Sequence, residues 1–395
     1  LHTFKAGFDF RRFPVTIDQS SPLSFSASGA FTGGPNPQAA AARTGRGLAD
    51  LLLGVAGVSY QLRSIEFHRH PYYAGYFQDE WKILPRVTLT LGLRYSLELP
   101  RVEDLNQYVY LDLESASPLE GKVTGLSGLR GGVGFVGTGG RGRRTQIADK
   151  QNWDPRIGLA WELDSKTALR TGFGVFTSSL VPNTDLSLGF TQTTNSIVAQ
   201  PDGVTPLFNL SNPLPGGFLP PTGNSLGLMT NVGQGISGPM RQQRLPYQMQ
   251  WSFDVQRQLP WQTVLEVGYA GSAGVALPSG VQYNQIADQL LSLGTALNAT
   301  VANPFFGVIT DPTSTLSRST VQRGQLLRPY PQFTGMSASQ APVGHSTYHA
   351  MQMRVERRFA DGLALLFAWT HSKLIDNVGD FGGFLGTGGV TSSNC

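Results

Sequence analysis

From residue 87 to residue 97 the chain alternates without a break: Val87, Leu89, Leu91, Leu93, Tyr95 and Leu97 are apolar, and Thr88, Thr90, Gly92, Arg94 and Ser96 stand between them. Successive side chains of a strand point to opposite faces, so this period of two gathers every apolar group on one face. The run of 11 residues matches the roughly 9 to 11 that a tilted strand needs to cross a bilayer, and is about twice the length of a typical soluble strand. Such a segment is expected in a membrane-embedded sheet, with Leu91 toward lipid near mid-depth and Thr90 toward the interior.

The pattern recurs as four hairpins. Residues 73–83 carry Tyr73, Phe77, Trp81 and Ile83 on one parity and reach 87–97 through Leu84-Pro85-Arg86. Residues 153–163 place Trp153, Ile157, Leu159, Trp161 and Leu163 on one face, followed by Asp164-Ser165-Lys166 and a return strand over 167–177. A third hairpin runs through Tyr247, Met249, Trp251, Phe253 and Val255, turns at Leu259-Pro260-Trp261-Gln262 and returns through Leu265, Val267 and Tyr269. The fourth uses Met351, Met353, Val355 and Phe359, the turn Ala360-Asp361-Gly362, and Leu363, Leu365, Phe367 and Trp369. Alternating runs joined by such short turns are hairpin signals. A lone strand over 2–10, with Phe4, Ala6, Phe8 and Phe10 on one face, brings the expected total to nine; its hairpin partner is expected upstream.

Connections of about 60, 55, 70 and 75 residues, rich in Gly, Pro, Ser, Thr and Asn, separate the hairpins, whereas compact soluble domains seldom hold structureless loops beyond about 15. Tight turns at one end and long loops at the other is the asymmetry of outer-membrane barrels, whose turns face the periplasm and whose loops face outward. Trp153 and Trp161 offer a second check: eight residues apart on one face, they span about 26 Å of strand and, tilted, roughly 20 Å of height, near the aromatic-flanked apolar band of about 25 Å. The expected fold is all-β, a partial antiparallel up-and-down transmembrane β-barrel with short periplasmic turns and long extracellular loops, placed in the cell outer membrane against its lipid.

Composition agrees. Only 14% of residues are charged while Gly and Pro number 48 and 25, an unusual balance for a packed enzyme. The longest apolar stretch, 48–58, contains Asp50 and falls short of the roughly 18 residues of a spanning helix. The net charge of +4 comes with no basic block beyond Arg141-Gly142-Arg143-Arg144, so nucleic acid is not an expected partner. With Cys395 the single cysteine, neither a disulfide framework nor a Cys-rich metal site can form within the chain. Leu1 opens directly into alternation, with no leader pattern ahead of it, so an upstream part is expected.

Four segments carry a family likeness. They are Tyr76-Phe77-Gln78-Asp79-Glu80-Trp81-Lys82 leading to Leu89-Thr90-Leu91-Gly92-Leu93-Arg94-Tyr95, then Asn152-Trp153-Asp154-Pro155-Arg156-Ile157-Gly158-Leu159-Ala160. After them come Gln250-Trp251-Ser252-Phe253-Asp254-Val255-Gln256-Arg257-Gln258-Leu259-Pro260, and residues 348–359 with Trp369-Thr370-His371-Ser372-Lys373. Each resembles a hairpin of TonB-dependent receptors, in the order of Oar-like members, and the likeness extends over nearly the whole chain. The resemblance implies a 22-stranded barrel around an N-terminal plug, opened through the TonB complex, with an unidentified substrate caught by the extracellular loops. On that basis residues 1–395 are expected to be part of the barrel domain, lacking the plug and the C-terminal strands. Nine strands alone would leave open edges that hydrocarbon does not tolerate. Energised uptake is the function the resemblance implies; an outer-surface adhesin or structural protein on the same barrel, or a passive porin, are the alternatives.

No catalytic, cofactor-binding or metal-binding residues are assigned, and the protein is not expected to be an enzyme. Gly132-Val133-Gly134-Phe135-Val136-Gly137 matches G-x-G-x-x-G, but that motif binds dinucleotides only between a strand and a helix; a flexible outer loop is expected. Glu66, His68 and His70 share a parity and could begin a metal site, yet nothing nearby completes it, and they are expected to be solvated loop residues. Asp79, Glu80 and Glu98 are not tied by spacing to a nucleophile. Gln78, Glu80, Arg94, Arg354 and Glu356 lie opposite the apolar rows and are expected to face the lumen. Residues 48–53 are expected to form one or two helical turns in the first loop.

Overall fold

The computed structural model describes residues 1–18, 23–34, 45–179, 188–199, 205–207, 210–242, 244–311, 313–360 and 362–378; Asp361 of the fourth turn and Cys395 lie outside them. Among the described residues nine long strands form one sheet: β1 (His2–Ile17), β2 (Glu66–Leu84), β3 (Val87–Glu98), β4 (Trp153–Asp164), β5 (Thr167–Thr177), β6 (Tyr247–Leu259), β7 (Thr263–Gln282), β8 (Gly335–Ala360) and β9 (Leu363–Asp376). Each pairs antiparallel with its neighbour in the chain. These are the nine strands that alternation predicts, in up-and-down order. The sheet is not closed, since β1 and β9 do not pair with each other.

Register sorts the side chains onto two faces, because directly opposed residues point the same way. One row crosses the wall through Trp81, Leu89, Leu159, Thr171, Phe253, Tyr269 and Met351. The next row, on the other face, reads Thr90, Gly158, Gly172, Ser252, Ala270, Ala350 and Ser372. On the apolar face Phe77, Leu93, Ile157, Phe253 and Met351 are all left open. Leaving such side chains in water would forgo about 1.5–3 kcal/mol of burial each, so this face requires lipid. Trp153 and Trp161 both lie on it, exposed, with Tyr95 against Trp153 at a ring separation of 4.5 Å.

Several strands run on past the apolar band at the loop end: β2 has 19 residues, β7 has 20 and β8 has 26. Residues 66–72, expected in a loop, are instead the upper part of β2, because β1 continues beside them until Ile17 opposes Glu66. At the opposite end the turns are tight. The one between β6 and β7 holds both Trp261 (φ 59°) and Gln262 (φ 56°) in the left-handed region without a glycine, a conformation that costs about 1–2 kcal/mol per residue.

The long connections are not structureless. The described residues of 99–152, 178–246 and 283–334 fold together into a cap with a conventional core. Its first cluster joins Tyr108, Val109, Leu111, Val133, Phe135 and Val136 from residues 99–152 with Ile236 from the next connection and Tyr330 and Phe333 from the last. A second cluster packs Leu119, Val123 and Leu129 against Phe305, Ile309 and Leu316. Buried amides fasten the turns: Asn284 Nδ2 donates to the Tyr330 and Phe333 carbonyls at 3.0 and 2.7 Å, while its Oδ1 accepts from the Tyr330 amide at 2.9 Å. The first connection contains the expected helical turns, Gly47–Leu52, whose Asp50 is buried and accepts from Thr32 Oγ1 at 2.8 Å while Leu48 and Leu52 stay exposed. Among the described residues no helix is long and apolar enough to cross a membrane.

Candidate functional site

The polar face and the pocket where it meets the cap form the candidate site. Gln78, Glu80, Arg94, Arg354 and Glu356 all fall on this face, as their parity predicts. Arg94 Nη2 donates to the Tyr72 hydroxyl at 3.0 Å and stands 3.5 Å from Asp9 Oδ2, and Arg354 donates to Glu356 at 2.6 Å. Of Asp79, Glu80 and Glu98, the last two share this face. Asp79 does not: it opposes Leu91 on the apolar side and takes a 2.8 Å hydrogen bond from His2, whose ring stacks on Trp81.

A belt of small residues runs along the polar face. Gly158 and Gly172 stand side by side, continued by Ser252, Ala270 and Ala350. Cβ atoms built on Gly92, Gly158 and Gly172 would come no nearer than 3.7 Å to any neighbour, so the wall itself does not require glycine there. Glycine inside a strand weakens it and often marks close approach by another group. Beside this belt lies a trough of about 470 Å³ lined by Arg156, Gly174, Gln250, Ser252, Ser272 and Tyr348. Parity carries a sequence signal for the belt, most clearly at Gly158 between Ile157 and Leu159 and at Ser252 between Trp251 and Phe253. What the sequence alone does not show is that they align across neighbouring strands, which depends on register.

Higher up, a cavity of about 440 Å³ lies against the polar face, lined by Arg11, His68, His70, Tyr72, Glu98 and Arg101 among others. Here Glu66, His68 and His70 depart from the expectation of solvated loop residues: all three are buried. The extension of β2 puts them on the inward parity, and the cap covers them. His68 Nε2 stands 3.1 Å from Glu66 Oε2, and His70 Nε2 stands 2.9 Å from Glu98 Oε1, so each imidazole faces a carboxylate. Burial pushes the Glu66 carboxyl up, but hydrogen bonds from His68 and Arg63 outweigh it and hold the group below the usual carboxylate range. The Tyr108 hydroxyl of the cap bonds His68 Nδ1, and burial pushes that phenol up to about 12. Glu103, also fully buried, accepts from the amides of Phe67, Leu105 and Gln107 at 3.1, 2.8 and 2.8 Å. Among the described residues no group of three or more His, Cys, Asp or Glu is placed to hold a metal ion.

The glycine motif at 132–137 is likewise not a flexible loop. It lies largely in the strand Arg130–Phe135, paired with Val109–Ala116; Val133 within it and Val136 just past its end are 1% exposed. Glycine serves packing here: a Cβ on Gly134 would meet the Tyr110 ring at 2.3 Å, and one on Gly132 the Leu228 carbonyl at 2.8 Å.

No curated protein matches the chain. In three-dimensional comparison it resembles the FrpB iron transporter from Neisseria meningitidis (F3-3 variant), at 10% identity and a TM-score of 0.37, over 94% of this chain and 33% of that one. It also resembles the alcaligin outer membrane receptor FauA from Bordetella pertussis, at 9% identity and a TM-score of 0.32, over 96% and 41%. A third likeness is to the siderophore receptor PirA from Pseudomonas aeruginosa, at 8% identity and a TM-score of 0.33, over 81% and 42%. The chain thus spans less than half the length of each of these proteins. The family model of the outer membrane beta barrel domain matches residues 1–394, nearly every residue of the two-faced wall and its cap, and the chain belongs to that family.

Proposed function

We propose that this chain is the wall and loop cap of an Oar-like, TonB-dependent transporter, and that residues 1–395 are one part of a longer barrel holding a plug and further strands. The observation that carries this reading is the belt of Gly158, Gly172, Ser252, Ala270 and Ala350 on the polar face. Gly158 and Gly172 are not required by the wall, and with Ser252 and Ala270 they leave room for a folded domain inside the lumen. In this reading the cap and the upper cavity receive the substrate, the TonB complex moves the plug, and no covalent chemistry takes place.

The cap packs onto inward-facing residues of the upper wall, Tyr108 on His68, which suits a gated mouth better than a permanently open pore. As a compact folded surface it also suits the alternative of an adhesin. The test uses the complete protein in planar bilayers together with the periplasmic domain of TonB. Binding of that domain with no steady conductance is the expected result. Steady conductance without binding would replace this reading with a passive porin, and neither property would favour the adhesin.

A further inference from the structure

On the lipid-facing side of β1 and β2, the register places three rows in succession at the outer end of the wall. Phe10 opposes Tyr73, Arg12 opposes Pro71, and Pro14 opposes Arg69. The Arg69 row continues across the sheet, since Arg69 opposes Val102, and Val102 opposes Arg144. Arginines thus begin directly above an aromatic row on the face that meets lipid. They line a groove of about 710 Å³ together with Arg143 and Arg241 from the cap, with Phe10 and Tyr73 forming part of its lining. The cavity that holds His68 and His70 lies on the opposite face of the same strands, so the groove is separate from the candidate transport path.

Charge in this groove is largely unneutralised. Among the described residues, the one carboxylate in contact with the five guanidiniums is Asp104, which pairs with Arg69 and lies 4.0 Å from Arg143. Arg143 is otherwise held by Asn106 Oδ1 at 2.7 Å and by the Glu103 and Asp104 carbonyls at 3.0 and 2.6 Å. Arg144 donates to the Pro100 carbonyl, and burial holds its guanidinium below its ordinary value. Arg241 lies over the Tyr110 ring at 5.4 Å. Neutral partners orient these groups without cancelling their charge. Partly desolvated arginines that keep their charge suit phosphate, whose oxygens accept paired N–H donors.

We infer that this groove binds the phosphorylated headgroup of an outer-leaflet glycolipid, with its acyl chains running down the apolar face past Phe10 and Tyr73. Arg143 and Arg144, part of the one basic block in the sequence, thereby acquire a ligand. The test measures retention of diphosphorylated lipid A by the full-length protein in detergent, using native mass spectrometry. The wild type is compared with Arg12→Gln/Arg144→Gln and with Lys5→Gln, which removes a charge from the inner face of the same strand. Heat-modifiable migration confirms that each variant is folded. Expected is a loss of about tenfold or more in Arg12→Gln/Arg144→Gln, with Lys5→Gln unchanged. Equal retention by all three proteins would overturn the inference. So would displacement of the lipid by inorganic phosphate at comparable affinity, which would make the groove a solute-anion site.

Discussion

Ile157 lies midway between Trp153 and Trp161 on the lipid-facing side and is 50% exposed. Arginine at that position would put a guanidinium near the bilayer midplane, which costs about 2–4 kcal/mol in barrels of this kind. Its neighbours in register are Leu91 on β3 and Phe173 on β5, so no carboxylate lies directly beside it. Leu91 is different, because it opposes both Ile157 and Asp79. Leu91→Arg would face the Asp79 carboxylate, and the ion pair should recover about 1 kcal/mol or more of the same cost, since charges a few ångströms apart attract more strongly away from water. Combining Leu91→Arg with Asp79→Asn should restore the full penalty. Thr90→Arg, on the inner face, should cost less than about 1 kcal/mol. The assay is reversible urea unfolding of the complete protein from lipid vesicles, followed by tryptophan fluorescence. Equal costs for Ile157→Arg and Thr90→Arg would refute the assignment of faces. Equal costs for Leu91→Arg with and without Asp79 would refute the register on which the pairing rests.

Further outcomes follow from the same geometry. Replacing Gln262 by glycine relieves one left-handed residue in the β6–β7 turn and should stabilise the protein by about 1 kcal/mol in the same unfolding assay. Phe333 is fully buried in the core shared by the connections, so Phe333→Ala should cost the cap about 3–5 kcal/mol and make residues 99–152 as well as 283–334 sensitive to limited proteolysis. Glu66 ionises more readily folded than unfolded, so its contribution is present above the ordinary glutamate range and is lost as pH falls through its lowered folded value. Protease resistance of the upper wall should therefore drop below about pH 4, and Glu66→Gln should flatten that dependence. Tyr108, with its phenol pushed up to about 12, should give a step near that pH in a 295 nm titration, and Tyr108→Phe should lack it.

The wall was legible in the sequence because each transmembrane strand carries its own evidence. A period of two needs no knowledge of neighbours, and Val87 to Leu97 displays it unaided. Tight turns such as Leu84-Pro85-Arg86 then fix which strands pair. The cap was not legible, for the same reason in reverse. Its core draws Val133 from one connection, Ile236 from another and Phe333 from a third, and segments like Gly132–Gly137 show no periodicity that would announce burial. The buried state of His68 and His70 was hidden because it depends on β1 extending to Ile17 and on Tyr108 arriving from residues away in sequence. The parity of Asp79 puts an acid on the apolar face, and its partner there, His2, is visible only from the register of β1 beside β2.

Because one core is built from three separate connections, the order in which the wall is laid down becomes visible from outside. The Tyr330 hydroxyl reaches the Leu113 carbonyl across 217 residues of chain, and Gln332 reaches Arg130 across 202. Contacts so distant in sequence close late, after the entropy of the intervening loops has been lost. Tyr110, Val133 and Phe135 must therefore wait, uncovered, until β8 has joined the sheet and brought residues 330–336 into place. A chain stalled earlier in assembly would display an apolar surface to the periplasm or cell exterior, which proteases and chaperones can read. The cap thus records whether most of this wall has been completed, whatever it later admits.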